Sequence, residues 1–138
     1  MKIQHEIEIT APPERVWELT VDVGGWPAIT PTMTKVERLG GGPIAPGSSA
    51  RVKQPGQRAR VWTVSTVEPN ECFAWHARVF GTTMTGTHTL IPSASGTTNI
   101  LTLDLAGPLA AVVGTLVGRA IRKSLATENA GFKAAAES

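Results

Sequence analysis

The side chains in this sequence best suited to proton transfer or polar recognition are an imidazole, His88, and a guanidinium, Arg60. His88 lies in the segment 82–91, where threonines alternate with a second set of residues that includes Met84, His88 and Leu90. Alternate side chains of a strand face opposite sides of a sheet, so this parity predicts that His88 faces the interior. An imidazole there suits a general base or a group that orients a ligand carbonyl. Alternatively, His88 is a hydrogen-bonded structural residue of the core.

In the segment 58–67, Arg60 belongs to the same set of alternate positions as the large apolar residues Trp62 and Val64. This pattern predicts a guanidinium at the mouth of an interior site, where it would suit a ligand that carries a carboxylate. Alternatively, Arg60 belongs with the neighbouring cations to a solvated set that discourages pairing between sheet edges.

Metal and thiol chemistry have little support. His5, His76 and His88 lie in separate segments without H-x-H or H-E-x-x-H spacing, so no metal site is predicted. Cys72 is the only cysteine, which excludes an internal disulfide and a cysteine-based zinc site. No cationic cluster adjoins Cys72, so we expect a small buried hydrophobic residue rather than a nucleophile. The glycine run 40–42 lacks the frame of a phosphate-binding loop, and no cofactor is predicted.

Composition restricts the class of protein. The chain has 138 residues, 41% hydrophobic and 17% charged, which predicts one globular domain over residues 1–138. A net charge of +2 gives no reason to expect a nucleic-acid partner. The apolar stretch 105–118 is short and interrupted by Pro108, and no secretory leader is apparent, so we expect no membrane insertion. With a single cysteine, the expected compartment is the cytoplasm.

The spacing of hydrophobic residues along the sequence predicts an α+β fold. Residues 3–9 alternate as a strand; Thr10 is a candidate N-cap for a short helix containing Val16, and Trp26-Pro27 favours a second helical turn. Six further strands are predicted at 34–39, 49–53, 58–67, 72–79, 82–91 and 97–106. From Pro108 to about Ala136 the apolar spacing is that of one long amphipathic helix.

Several segments together resemble a known superfamily. They are APPERVWEL (11–19), DVGGWP (22–27), GGPIAPGS (41–48), VWTVSTVEP (61–69), FAWHA (73–77) and the run from Gly86 to Gly114. In this order they resemble the START-like (SRPBCC) superfamily, in its polyketide cyclase/dehydrase-like branch, over nearly the whole chain. The resemblance implies a helix-grip fold, in which a seven-stranded curved antiparallel sheet surrounds a long C-terminal helix, with two short helices after the first strand. The superfamily includes carriers, cyclases and aromatases, so the function does not follow from the fold.

Strand parity and helical spacing together predict an apolar pocket between the sheet and the long helix. The residues expected to line it, beside Arg60 and His88, are Trp62, Phe73, Trp75, Met84, Leu101, Leu103, Val113, Leu116 and Val117. The alternative is a packed core without a usable void. Gly114 and Gly118 of the helix either leave room for a ligand or permit close contact with a strand.

Three functions fit these expectations. The leading hypothesis is a carrier that binds a small hydrophobic ligand in the pocket. The second is an enzyme of the polyketide cyclase or aromatase kind that uses His88 and Arg60, although the chain has no Tyr and parity places no Asp or Glu inside. The third is a protein-interaction module that uses an exposed apolar surface. Whether the chain is an enzyme stays open, and we expect a monomer or a homodimer.

Overall fold

The computed structural model describes all residues, 1–138. Strand β1 (Lys2–Ile9) is followed by helix α1 (Pro13–Val21), a 3₁₀ turn (Val23–Gly25) and the short helix α2 (Trp26–Ile29). The remaining elements are β2 (Lys35–Leu39), β3 (Ser49–Lys53), β4 (Arg60–Glu68), β5 (Cys72–Val79), β6 (Thr82–Pro92), β7 (Thr97–Ala106) and α3 (Ala110–Glu137). The predicted order of strands and helices is confirmed.

All seven strands belong to one antiparallel sheet in the order β1-β7-β6-β5-β4-β3-β2. Strands β2 to β7 follow one another as a meander, and β1 returns to pair with β7 along its full length. Helix α3 packs across the concave side, mainly against β1 and β7. This is the helix-grip architecture that the resemblance implied.

The strand register aligns the inward-facing residues in rows across β5, β6 and β7. Phe73, His88 and Leu101 form one row, and Trp75, Gly86 and Leu103 form the next. His76 and Asp104 pair with Thr85 in the row after the second of these, and they lie on the opposite face. The division of β6 into an apolar inner face and a threonine-rich outer face is therefore confirmed.

The entry to α1 differs from the prediction. Pro12, rather than Thr10, is the N-cap residue, and no side chain caps the helix. The first turn instead begins with Pro13, whose ring fixes the backbone in a helical conformation. The Thr10 N–H donates to Glu137 Oε2 at 2.7 Å, so this residue joins the start of the chain to the end of α3.

The C-terminal half of α3 is attached to the sheet by a buried amide network. Asn129 is fully buried, and its Nδ2 donates to the His5 carbonyl at 3.0 Å and lies 2.9 Å from His5 Nδ1. Asn99 Nδ2 donates to Asn129 Oδ1 at 2.8 Å. One side chain of α3 thereby connects β1 and β7, and a buried network of this kind fixes the position of the helix along the sheet.

Aromatic packing holds the same half of α3. Phe132 is fully buried, with its ring centroid 5.8 Å from that of Trp26 and 5.5 Å from that of His88. Next to it, α3 approaches α2 closely at Gly131, where a Cβ atom would overlap the Ile29 carbonyl oxygen. Only glycine permits this approach.

The N-terminal half of α3 has fewer attachments. Gly114 makes room for Met1, whose sulfur occupies the place that a Cβ atom would take at that position. At Gly118 the nearest atom to an added Cβ is Ile3 Cδ1, at 4.0 Å. At Gly114 the structure therefore favours close contact with the start of β1 over room for a ligand.

No helix of the chain, α3 included, has the length and apolarity needed to cross a bilayer.

Replacing Gly131 and Gly118 of α3 by alanine should have opposite effects on stability. Gly131→Ala should lower the free energy of unfolding by about 1–3 kcal/mol, because the new methyl group would press on the Ile29 backbone. Gly118→Ala, the matched control, should raise it by up to about 1 kcal/mol, because alanine favours the helix and meets no obstacle. Urea denaturation measures both, and a Gly131→Ala variant as stable as the wild type would contradict the close contact of α3 with α2.

Candidate functional site

A cavity of about 420 Å³ lies between the concave face of the sheet and α3. Its inner end is formed by buried side chains, among them Trp26, His88 and Glu128. Its mouth lies between exposed residues of two turns and the helix, Gln57, Phe80 and Val117. A space of this size falls in the range of sites for small organic ligands.

Nine of the eleven residues predicted from the sequence to line a pocket line this cavity. They are Arg60, Trp62, Trp75, Met84, His88, Leu101, Leu103, Val113 and Val117. The sheet supplies seven of them from four strands, and α3 supplies the other two. The space is therefore not filled by side chains, contrary to the alternative of a closed, packed core.

Leu116 and Phe73 are placed elsewhere. Leu116 is 78% exposed and points away from the cavity, because its position on α3 lies on the side of Val112 rather than of Val113 and Val117. Phe73 is on the inner face as predicted, but it is fully buried behind the cavity wall, against Trp26. The expectation that these two side chains line the pocket was wrong.

His88 lies at the inner end in an aromatic environment. Its ring stacks on Trp26 at a centroid distance of 5.0 Å and meets the edges of Phe73 and Phe132. Its Nδ1 is buried without a hydrogen-bond partner. Burial lowers the pKa of His88 to about 3, because the imidazolium form would be desolvated there. The ring is therefore neutral, and aromatic packing rather than the expected hydrogen bonding holds it.

Glu128 was missed by the sequence analysis. It lines the cavity from α3, one turn before Phe132, with 7% of its surface exposed. Burial raises the pKa of Glu128 to about 7, and a hydrogen bond with Thr32 acts in the opposite direction. The expectation of no acid inside was wrong because strand parity does not apply to a helix. Helical spacing does mark Glu128, since it shares the buried side of α3 with Leu125 and Phe132.

Arg60 is half-buried at the cavity wall near the mouth. Its Nη1 donates to Gln57 Oε1 at 2.5 Å, and no carboxylate pairs with it. By contrast, Arg51 on the outer face pairs with Glu37 at 2.9 Å. The guanidinium of Arg60 therefore retains an unneutralised charge next to an apolar space, whereas Arg51 is the solvated surface cation that the alternative described.

Gly86 helps to keep the space open. It lies in the middle of β6, opposite Trp75 and Leu103, and lines the cavity. A Cβ atom at this position would lie 3.4 Å from the Trp75 indole. The indoles of Trp75 and Trp62, 5.5 Å apart at 36°, form one wall beside it. A strand position without a side chain thus gives a ligand access to a flat aromatic surface.

The three histidines do not converge. His5 contacts Asn129, His76 lies on the outer face of β5, and His88 lies at the inner end of the cavity. No group of three or more His, Cys, Asp or Glu side chains is arranged to hold a metal ion. Burial raises the pKa of the Cys72 thiol, with Glu68 and Glu71 acting in the same direction, so the thiolate is disfavoured.

Solved structures with this fold include proteins of several kinds. The protein TTHA0849 of Thermus thermophilus is 17% identical, with a TM-score of 0.78 over 99% of this chain and 97% of that one. The Zhui aromatase/cyclase of Streptomyces sp. R1128 is 24% identical, with a TM-score of 0.73 over 98% of this chain and 93% of that one. The Aha1 dimer of Colwellia psychrerythraea is 18% identical, with a TM-score of 0.70 over 99% of this chain and 96% of that one. At these identities the likeness shows the fold alone.

The sequence itself places the chain in a family. A comparison with curated proteins finds no match. The model of the family described as polyketide cyclase / dehydrase and lipid transport matches residues 1–137, nearly the whole chain. The helix-grip fold and the cavity between sheet and helix accord with that match, and the chain belongs to the polyketide cyclase / dehydrase and lipid transport family.

Proposed function

We propose that the chain binds a small hydrophobic molecule in the cavity between the sheet and α3. The observation that carries this proposal is the open apolar space of about 420 Å³ with an accessible mouth. Burial of an apolar ligand there would supply affinity by removing its surface from water. The family description, which includes both polyketide cyclases and lipid transport, accords with ligands of this class.

The distribution of polar groups favours a ligand that is polar at one end. The Arg60 guanidinium near the mouth would attract a carboxylate or another anionic group. The inner end is different, because His88 is neutral and the carboxyl of Glu128 is readily protonated. An anionic group would therefore be accommodated at the mouth, and the apolar part of the ligand against Trp62 and Trp75.

A second candidate function is supported by Glu128, which lines the cavity. A carboxyl group with a pKa near 7 exchanges its proton readily at neutral pH, which suits general acid–base chemistry on a bound substrate. The cavity would hold a flexible chain in a reactive geometry, as expected of a polyketide cyclase or aromatase. If this is the function, Glu128→Gln should abolish ring closure of a linear poly-β-ketone while leaving its binding intact. A carrier would bind the compound without converting it.

Filling the cavity should weaken binding. Leu103→Trp places a larger side chain in the open space next to Gly86. As a probe we choose 2-naphthoate, which has an aromatic part and a carboxylate. The substitution should weaken the affinity for this probe at least about tenfold. Isothermal titration calorimetry measures the affinity. The variant should remain folded, because the indole would occupy a space that is otherwise unfilled.

Val61→Trp is the control for this substitution. Val61 is 46% exposed on β4 and does not line the cavity, so its replacement should leave the affinity for 2-naphthoate within about twofold of the wild type. Equal binding by Leu103→Trp and the wild type, with both proteins folded by circular dichroism, would place the ligand outside the cavity and defeat the proposal.

Glu128 should make stability depend on pH. Its pKa is about 7 in the folded state against an ordinary value of 4.5, so the folded protein binds more protons between these two values. Its contribution to stability is therefore complete below pH 4.5 and is lost as the pH rises to 7. Glu128→Gln, which stays neutral, should exceed the wild type in free energy of unfolding by about 3 kcal/mol at pH 8 and by little at pH 5.

Urea denaturation at the two pH values measures this difference. His88 shifts stability in the opposite direction below pH 6.5, but it is present in both proteins and cancels. Glu18→Gln is the control: this side chain is 70% exposed, and its variant should follow the wild type at both pH values. Parallel pH profiles for Glu128→Gln and the wild type would show that Glu128 is solvated rather than buried.

A further inference from the structure

A set of large apolar side chains lies exposed beside the cavity mouth. This mouth patch consists of Phe80, Leu109, Val112, Leu116 and Val117, with exposed fractions of 80%, 46%, 56%, 78% and 39%. Phe80 and Val117 border the mouth itself. Leu109 Cδ1 lies 3.9 Å from the Cβ position of Gly81, next to Phe80, so the turn and the helix form one surface. Contiguous apolar surface of this kind is typical of interaction sites.

The position of Phe80 is costly for the fold in two ways. The turn between β5 and β6 contains only Phe80 and Gly81, both with positive φ, 49° and 70°. Asparagine, aspartate or glycine is the usual first residue of such a turn, because a residue with a bulky side chain resists this conformation. The ring is also left in solvent, so neither the backbone nor burial explains a phenylalanine here.

Cationic side chains extend the row of exposed apolar side chains along α3. Val112, Leu116, Arg119 and Lys123 follow one another at spacings of four, three and four residues, which places them in one row along the helix. Between Asp104 and Glu128 the sequence contains no acidic residue. The Asp104 carboxylate lies 3.8 Å from the N-terminal amine, and Glu128 is buried. The exposed face of α3 thus passes from apolar side chains to unpaired positive charges.

We propose that the mouth patch docks on the surface of an anionic lipid bilayer. Protruding apolar side chains followed by cations suit a membrane interface, where the former enter the acyl boundary and the latter contact the lipid headgroups. A protein partner would instead require matching pockets for Phe80 and Leu116. In this orientation the cavity mouth faces the acyl region, so a hydrophobic ligand could pass between bilayer and cavity without crossing water.

Vesicle cosedimentation tests this docking. The wild type should bind vesicles that contain one quarter phosphatidylglycerol more tightly than vesicles of phosphatidylcholine alone, and added salt should weaken the binding. Leu116→Asp should reduce binding to the anionic vesicles at least about tenfold, because it places a negative charge in the patch. Its affinity for 2-naphthoate should be unchanged, since Leu116 does not line the cavity.

Ile91→Asp is the matched control. Ile91 is 45% exposed near the opposite end of β6, and its variant should bind anionic vesicles within about twofold of the wild type. Absence of wild-type binding to anionic vesicles, or equal loss in both variants, would overturn the proposal. So would a wild-type dimer in sedimentation velocity that Leu116→Asp dissociates without any vesicle binding, because the patch would then pair with a second copy of the chain.

Discussion

The packing of Phe132 and Asn129 against the sheet determines where α3 lies, and the rest of the structure depends on it. Phe132 meets Trp26 and His88, while Asn129 bonds to β1 and β7, so the C-terminal half of the helix is held by both apolar and polar contacts. The N-terminal half has no equivalent attachment. Because the helix is held on the sheet mainly at Asn129 and Phe132, space remains beneath the part of the helix that precedes them, from Val113 to Glu128, and that space is the cavity.

The same anchoring determines the chemistry of the cavity. Phe132 and Trp26 exclude water from His88, which is why its imidazole is neutral, and Glu128 is buried one helical turn away from Phe132. Charge is therefore disfavoured at the inner end and retained at the mouth by Arg60. A gradient of polarity along the cavity follows directly from how one end of α3 is fixed.

Much of the fold and part of the site could be predicted from the sequence. Alternation along β6 placed His88 inside, because a period of two permits only two faces. Helical spacing near residue 116 was less informative, since an apolar stripe that is wider than the contact surface leaves some of its members exposed. The N-cap of α1 depends on contacts between distant segments, and a local pattern does not contain it. Glu128 escaped prediction for another reason, because strand parity does not apply to a helix, although the helical spacing of α3 does mark it.

A crystal structure of the protein soaked with 2-naphthoate would show directly whether the space between the sheet and α3 is a ligand site. We expect electron density for the naphthalene rings between α3 and the wall formed by Trp62 and Trp75, with the carboxylate at Arg60 and with α3 in the position described. Two observations would contradict it. One is a helix α3 that closes onto the sheet and leaves no cavity; the other is a well-formed cavity that stays empty while the probe binds elsewhere.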